Sequence, residues 1–122
     1  MMRFMMMVRI DEKTAPAGGP SPELMAEMGK LMDEMTEAGV LLDTAGLRPS
    51  AEGVRVHLAD GKPSVTDGPF AEAKEVIGGY ALIQAASKEE AVDWAKRFLR
   101  VHGDEWEITA EIRQVEEAPA GA

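Results

Sequence analysis

The chain has 122 residues, no cysteine, and 22 acidic against 13 basic side chains, for a formal charge of -9. That length specifies one domain, and 45% apolar residues supply a core without disulfide or zinc staples. The missing thiols exclude disulfides, thiolate metal sites, iron–sulfur clusters and a cysteine nucleophile, and the acidic balance argues against nucleic acid, which needs a basic patch to release counterions.

No apolar run approaches the roughly eighteen residues of a membrane span. The Met-rich start is interrupted by Arg3 and Arg9, so neither a membrane segment nor a signal peptide is expected, and the location expected is the cytoplasm. Residues 3–10 alternate, with Phe4, Met6, Val8 and Ile10 on one face and Arg3, Met5, Met7 and Arg9 on the other, which is a strand with apolar groups on both sides. A Pro/Gly-rich loop follows at 11–20. Ser21 is the expected N-cap of a helix over 22–38, with Pro22 at the first position, an apolar stripe at Leu24, Met28, Leu31 and Met35, and Gly39 as its stop.

Residues 40–42 form a short second strand running into an irregular DTAGLRPS segment. Residues 53–58 alternate, an Asp60-Gly61 turn follows, and 63–66 return, which specifies a β-hairpin with Pro63 at its rim. Another strand is expected over 79–85, with Tyr80, Leu82 and Gln84 opposite Ala81, Ile83 and Ala85. Ser87 and Glu90 make a capping box for a second helix through Val101, and residues 106–115 form the last strand. One domain is expected over 1–117, with a frayed end that includes a flexible tail at 118–122.

The order β-α-β-(hairpin)-β-α-β is a ferredoxin-like α+β arrangement, β-α-β-β-α-β with an inserted hairpin. Two helices then cover one face of an antiparallel sheet and leave the other bare. Met5 and Met7 would sit on that bare face, and a large exposed apolar patch marks an interface. A homodimer packed sheet to sheet is therefore expected, with a cavity between the sheets or at their edges. All nine methionines fall within the first 35 residues, on this strand and helix, where flexible thioethers suit an adaptable apolar surface or an ordinary core.

The densest motif is Asp67-Gly68-Pro69-Phe70-Ala71-Glu72-Ala73-Lys74-Glu75, followed by VIGGY at 76–80. Asp67-Gly68-Pro69 is a rigid turn and Phe70 an apolar plug, with alternating charges beyond it. Two readings follow: Asp67 and Glu72 presented to a pocket as a carboxylate pair, or a structural turn whose charges bridge a dimer.

At this motif the chain resembles the DGPF branch of the YCII-related family. The resemblance covers nearly the whole chain, through MRFMMMV, AGVLLDTAGLRPS, DGPFAEAKEVIGGY, SKEEAVDWAKR and EIRQVEE. It implies a ferredoxin-like fold forming a dimeric α/β barrel, with a pocket near the dimer interface. It says little about activity. Some relatives are encoded beside or fused to extracytoplasmic-function sigma factors, which implies a regulatory context. The histidine–aspartate dyad proposed for YCII proteins proper needs a histidine near the first helix, and residues 22–38 contain none.

The histidines here are His57, on the hairpin, and His102, after the second helix. His57 beside a carboxylate is a candidate base, or simply a surface residue; His102 as a cation at a helix C-terminus is favourable on structural grounds alone. Their spacing fits no metal site, and the sequence carries no nucleotide or cofactor motif, so neither metal nor cofactor is expected. Arg48, ahead of Pro49 in a constrained loop, suits an anionic ligand or an ion pair with Glu72 or Glu75. Tyr80 suits a pocket wall or an interface.

The candidate acid/base residues are thus Asp67 and His57, and the candidate ligand-binding residues are Arg48, Phe70, Glu72, Lys74 and Tyr80. The leading expectation is a dimeric module that binds a small anionic or apolar ligand or serves regulation, with no nucleic-acid or membrane partner. The alternatives are a small enzyme of lyase, isomerase or hydrolase type using Asp67 or His57 with Arg48 as anion anchor, and a protein-interaction partner in sigma-factor-linked regulation.

Overall fold

Alternating apolar residues make β1 (Met2–Ile10) an inner strand of the sheet. In the computed structural model, which describes residues 1–70 and 72–117, the chain continues through α1 (Pro22–Glu37), β2 (Leu41–Gly46) and a 3-10 turn (Ser50–Glu52). A hairpin of β3 (Val54–Ala59) and β4 (Lys62–Asp67) follows, then β5 (Val76–Ala85), α2 (Lys88–Val101) and β6 (Ile108–Gln114). The main sheet has the order β2-β5-β1-β6 with every neighbouring pair antiparallel, so the fold is ferredoxin-like α+β with the hairpin inserted between its second and third strands. The tail expected at 118–122 lies outside the described residues.

Both helices begin and end where local chemistry dictates. Ser21 Oγ accepts from Leu24 N–H at 3.1 Å. At the other end of α1, Gly39 has φ +73°, Gly39 N–H donates to Thr36 O and Val40 N–H to Met35 O, the paired bonds of a Schellman stop. In α2, Ser87 Oγ accepts from Glu90 N–H at 3.1 Å and the Glu90 carboxylate returns to Ala86 N–H at 3.0 Å. The helices are further joined by the Glu34–Arg97 ion pair.

Leu31 and Met35 of α1, with Ala91 and Ala95 of α2, pack on Phe4, Met6, Ala81, Ile83 and Ala85 of the sheet. Alanines on α2 and β5 let helix and sheet approach closely, while Phe4, Met6, Met35 and Ile83 fill the centre. The opposite sheet face carries Arg3, Met5, Met7 and Arg9 beside Tyr80, Leu82 and Gln84, with Thr109, Glu111 and Arg113 on β6. Neither helix covers this face.

Three boundaries differ by two residues or more from those expected. β2 extends to Gly46 because Asp43, Thr44 and Ala45 pair with β5 beyond a bulge at Leu42, and Thr44 Oγ1 donates to the Tyr80 carbonyl at 2.9 Å. β5 starts at Val76, paired with Ile10, and β6 starts at Ile108, leaving Trp106 ahead of the strand.

The hairpin forms its own two-stranded sheet, turned by Asp60 and Gly61, both at positive φ. Its register puts Val54, Val56, Leu58, Pro63 and Val65 on one face, and Val56, Leu58 and Val65 are each about two-thirds exposed. Arg55 and His57 occupy the other face.

Candidate functional site

The Asp67–Phe70 segment is fixed by close backbone contact. Gly68 N–H donates to Gly53 O at 2.9 Å, and a Cβ on Gly68 would lie 1.7 Å from Ser50 O. Only glycine lets the loop sit this tightly on the 3-10 turn. The Gly68-Pro69 peptide is cis. The turn in turn is tied to the 11–20 loop, because the Glu12 carboxylate accepts from Ser50 N–H at 2.9 Å and from the Ser50 hydroxyl. Ala73 N–H closes the far side of the loop on Phe70 O at 3.0 Å.

Phe70 is thereby set beside Gly53, where a Cβ would stand 3.8 Å from the ring, an ordinary van der Waals contact. The Arg55 guanidinium lies over the ring at 3.8 Å from its centroid, while its Nη1 bonds Glu72 Oε1 at 2.6 Å. A guanidinium over an aromatic face, with one nitrogen on a carboxylate, keeps further N–H donors for an anion.

Beside this stack a cleft of about 550 Å³ runs between the loop, the hairpin base and the uncovered sheet face. Arg9, Arg48 and Arg55 supply its cations, Glu52, Glu75 and Glu111 its anions, and Met7, Leu47, Val54, Phe70 and Ile77 its apolar surface. Arg48 donates to Glu52 Oε1 from Nε and Nη2, at 3.2 and 3.1 Å, and Arg9 donates to Glu111 at 3.0 Å. The Arg48–Glu52 pair is solvent-exposed, with the Arg48 side chain 83% accessible, whereas the Arg9–Glu111 pair is part-buried. An exposed pair is worth about 0–1 kcal/mol, so a ligand carboxylate can replace Glu52 at little cost.

Of the residues singled out in the sequence, the structure brings Arg48 and Phe70 into one cleft. Glu72 touches it indirectly, through Arg55. Lys74 is exposed in the loop and does not line the cleft. Asp67 pairs with Val54 and His57 with Ser64, so the two project from opposite faces of the hairpin, both exposed, and do not meet. Tyr80 lies on β5, where its hydroxyl donates to Asp43 Oδ2 at 3.1 Å; that carboxylate holds the phenol above its usual pKa. Arg48 pairs with Glu52, its i+4 neighbour, in place of Glu72 or Glu75.

Arg9 and Arg55 were not anticipated. Each occupies the polar register of an alternating strand, where the sequence gives no distinction from a solvated face. Their partners Glu111 and Glu72 are 102 and 17 positions away. Among the described residues no three His, Asp or Glu side chains gather as a metal site, and no helix is long and apolar enough to cross a membrane.

Sheet order, hairpin insertion and the glycine-locked loop define a ferredoxin-like α+β domain with a mixed-charge cleft at the edge of an open sheet face. The YCII-related domain profile matches residues 2–114, and the chain belongs to that family. A 73-residue stretch is 37% identical to "Uncharacterized protein R00369" of Rhizobium meliloti (strain 1021), covering 60% of this chain and 59% of the relative. The match thus spans well under two-thirds of that relative's length.

Proposed function

We propose that the protein is a dimeric small-ligand-binding module whose cleft, under the Asp67–Phe70 loop, takes a small carboxylate with a short apolar body. The observation that carries this reading is the Arg55 guanidinium stacked on Phe70 within a cleft that Arg48 and Arg9 also line. Phe70, Leu47, Val54 and Ile77 suit the apolar part of such a ligand, and the arginine forks suit its carboxylate.

The dimer is the reading that best accounts for the apolar surface left open. Met5, Met7 and Leu82 lie on a sheet face without a helix, and the hairpin exposes Val56, Leu58 and Val65. A second copy is the occupant we assign to that surface. Met7 belongs both to the open face and to the cleft lining, so the ligand site sits at the edge of the intended interface.

Thermal denaturation in the presence of benzoate, succinate and acetate, each at millimolar concentration, tests the ligand reading. At least one should raise the melting temperature of the wild type and leave Arg48→Ala/Arg55→Ala unmoved. Equal shifts in both proteins, or none in either, would count against the cleft. Light scattering coupled to gel filtration tests the dimer, with twice the 13.2 kDa chain mass expected and the single-chain mass contradicting it.

A further inference from the structure

A second cavity, of about 500 Å³, lies on the other side of the sheet, between its helix-covered face and the N-terminal half of α1. Its floor is uneven. β2 contributes Thr44, Ala45 and Gly46, and β5 contributes Gly78, Gly79 and Ala81, so that side lacks large side chains, while Met6, Val8 and Ile10 of β1 and Ile108 of β6 form the other side. A Cβ on Gly79 would stand 3.0 Å from Ala45 O, and this strand contact keeps the position small. The space is a groove open to solvent at its Met25 rim, not an enclosed void.

The walls are Leu24, Met25, Met28 and Met32 of α1, with Phe98 of α2 and Trp106. Four methionines in all line it, counting Met6, and such side chains re-form around ligands of different shape. The polar groups are few. Thr44 Oγ1 donates to the Tyr80 carbonyl and the Tyr80 hydroxyl to Asp43, which leaves the His102 imidazole and the Trp106 indole N–H, a donor only; His102 is the side chain that can accept from a ligand hydroxyl.

His102 caps the C-terminus of α2, its ring set edge-on to Phe98 and Trp106 at centroid distances of 5.0 and 5.9 Å. Nδ1 lies 3.0 Å from the Phe98 carbonyl oxygen, which can only accept, so Nδ1 carries the proton. Burial lowers the His102 pKa and favours the neutral ring, contrary to the cationic cap expected from its position. Nε2 is then a bare acceptor, with no hydrogen-bond partner among the described residues.

We propose that this cavity is a second ligand site, for a neutral, mostly hydrocarbon molecule bearing one hydroxyl, an alcohol or phenol whose O–H donates to His102 Nε2. It is independent of the arginine cleft, with which it shares only Leu47 among lining residues. An acidic ligand is disfavoured, since no cationic side chain lines the space.

Titration of the ¹³C-methionine-labelled protein with cyclohexylmethanol, and separately with its methyl ether, tests this. The ether keeps the oxygen and loses the donor. The alcohol should move the methyl signals of Met25, Met28 and Met32 saturably, leave Met5 and Met7 in place, and bind roughly five- to tenfold more tightly than the ether. His102→Phe should erase that preference, and Met25→Trp, at a 60% exposed rim position, should abolish binding while the protein stays folded. Equal affinity for alcohol and ether in the wild type, shifts at Met5 and Met7 instead, or no saturable shift would overturn the proposal. So would methyl shifts that follow protein dilution alone, because the space would then be filled by a second copy.

Discussion

Replacing Gly68 with alanine strikes the contact that fixes the cleft. The new Cβ would lie 1.7 Å from Ser50 O and 2.8 Å from Ser50 C, both backbone atoms that no rotamer change can move aside. Restoring the 3.0 Å floor of real Cβ contacts means opening the two segments by about 1.3 Å, the difference between those distances. That breaks the Gly68 N–H to Gly53 O bond, a loss of about 1 kcal/mol, and adds about 1–3 kcal/mol of overpacking. Alanine also restricts the unfolded chain, which offsets about 0.4–1 kcal/mol. The net expectation is about 1–3.5 kcal/mol of destabilisation, read by urea unfolding at equilibrium, with the upfield shift of Arg55 side-chain protons over Phe70 lost as well. Gly18→Ala, where nothing lies within 4 Å, is the control and should change stability little. A Gly68→Ala protein within about 0.5 kcal/mol of wild type, with Arg55 still stacked, would refute this account of the loop.

Further outcomes follow from the same geometry. Gly29 sits inside α1 with open space at its Cβ, so Gly29→Ala should stabilise by about 0.5–1 kcal/mol in urea unfolding; a destabilised protein would contradict the helix placement. Ser87→Ala removes the acceptor for Glu90 N–H and should cost about 1 kcal/mol by the same measurement, whereas an unchanged midpoint would show that the cap contributes nothing. Burial depresses the His102 pKa below about 6.5, so the unfolded chain binds more protons in that range. Its contribution is full above about pH 6.5 and is lost as pH falls through the folded-state value. Stability measured from pH 7 to 5 should therefore fall less in His102→Phe than in wild type; equal slopes would contradict the burial.

The elements were largely legible because their signals are local. Ser21-Pro22, Gly39, Ser87-x-x-Glu90 and Asp60-Gly61 each act within one turn, and the alternation of β1 marks its two faces without knowledge of a partner. The extension of β2 through Asp43, Thr44 and Ala45 was not legible, since Asp43 and Ala45 have low strand propensity and the segment becomes a strand only by pairing with Leu82, Ala81 and Tyr80. The rigidity of Asp67-Gly68-Pro69 could be read from its residue types. That Gly68 presses on Ser50, and that Glu12 holds Ser50 from the other side, could not, because these contacts join segments 18 and 38 positions apart. Arg55 and Arg9 escaped notice for the same reason. The small residues on one side of the second groove, at 44–46 and at 78, 79 and 81, were in plain view, yet small residues signal equally a close helix–sheet contact, as Ala81 and Ala85 show in the core.

The central claim is that Arg48 and Arg55 hold a carboxylate in the cleft beside Phe70. The most direct measurement follows the arginine Nε–H signals by ¹⁵N NMR during titration with benzoate and, in parallel, with benzyl alcohol as its uncharged counterpart. The claim predicts saturable movement of the Arg48 and Arg55 signals with benzoate alone, lost when Phe70 is replaced by alanine. Signals that stay in place to tens of millimolar benzoate, a level at which even weak sites fill, or that move equally with benzyl alcohol, would contradict it.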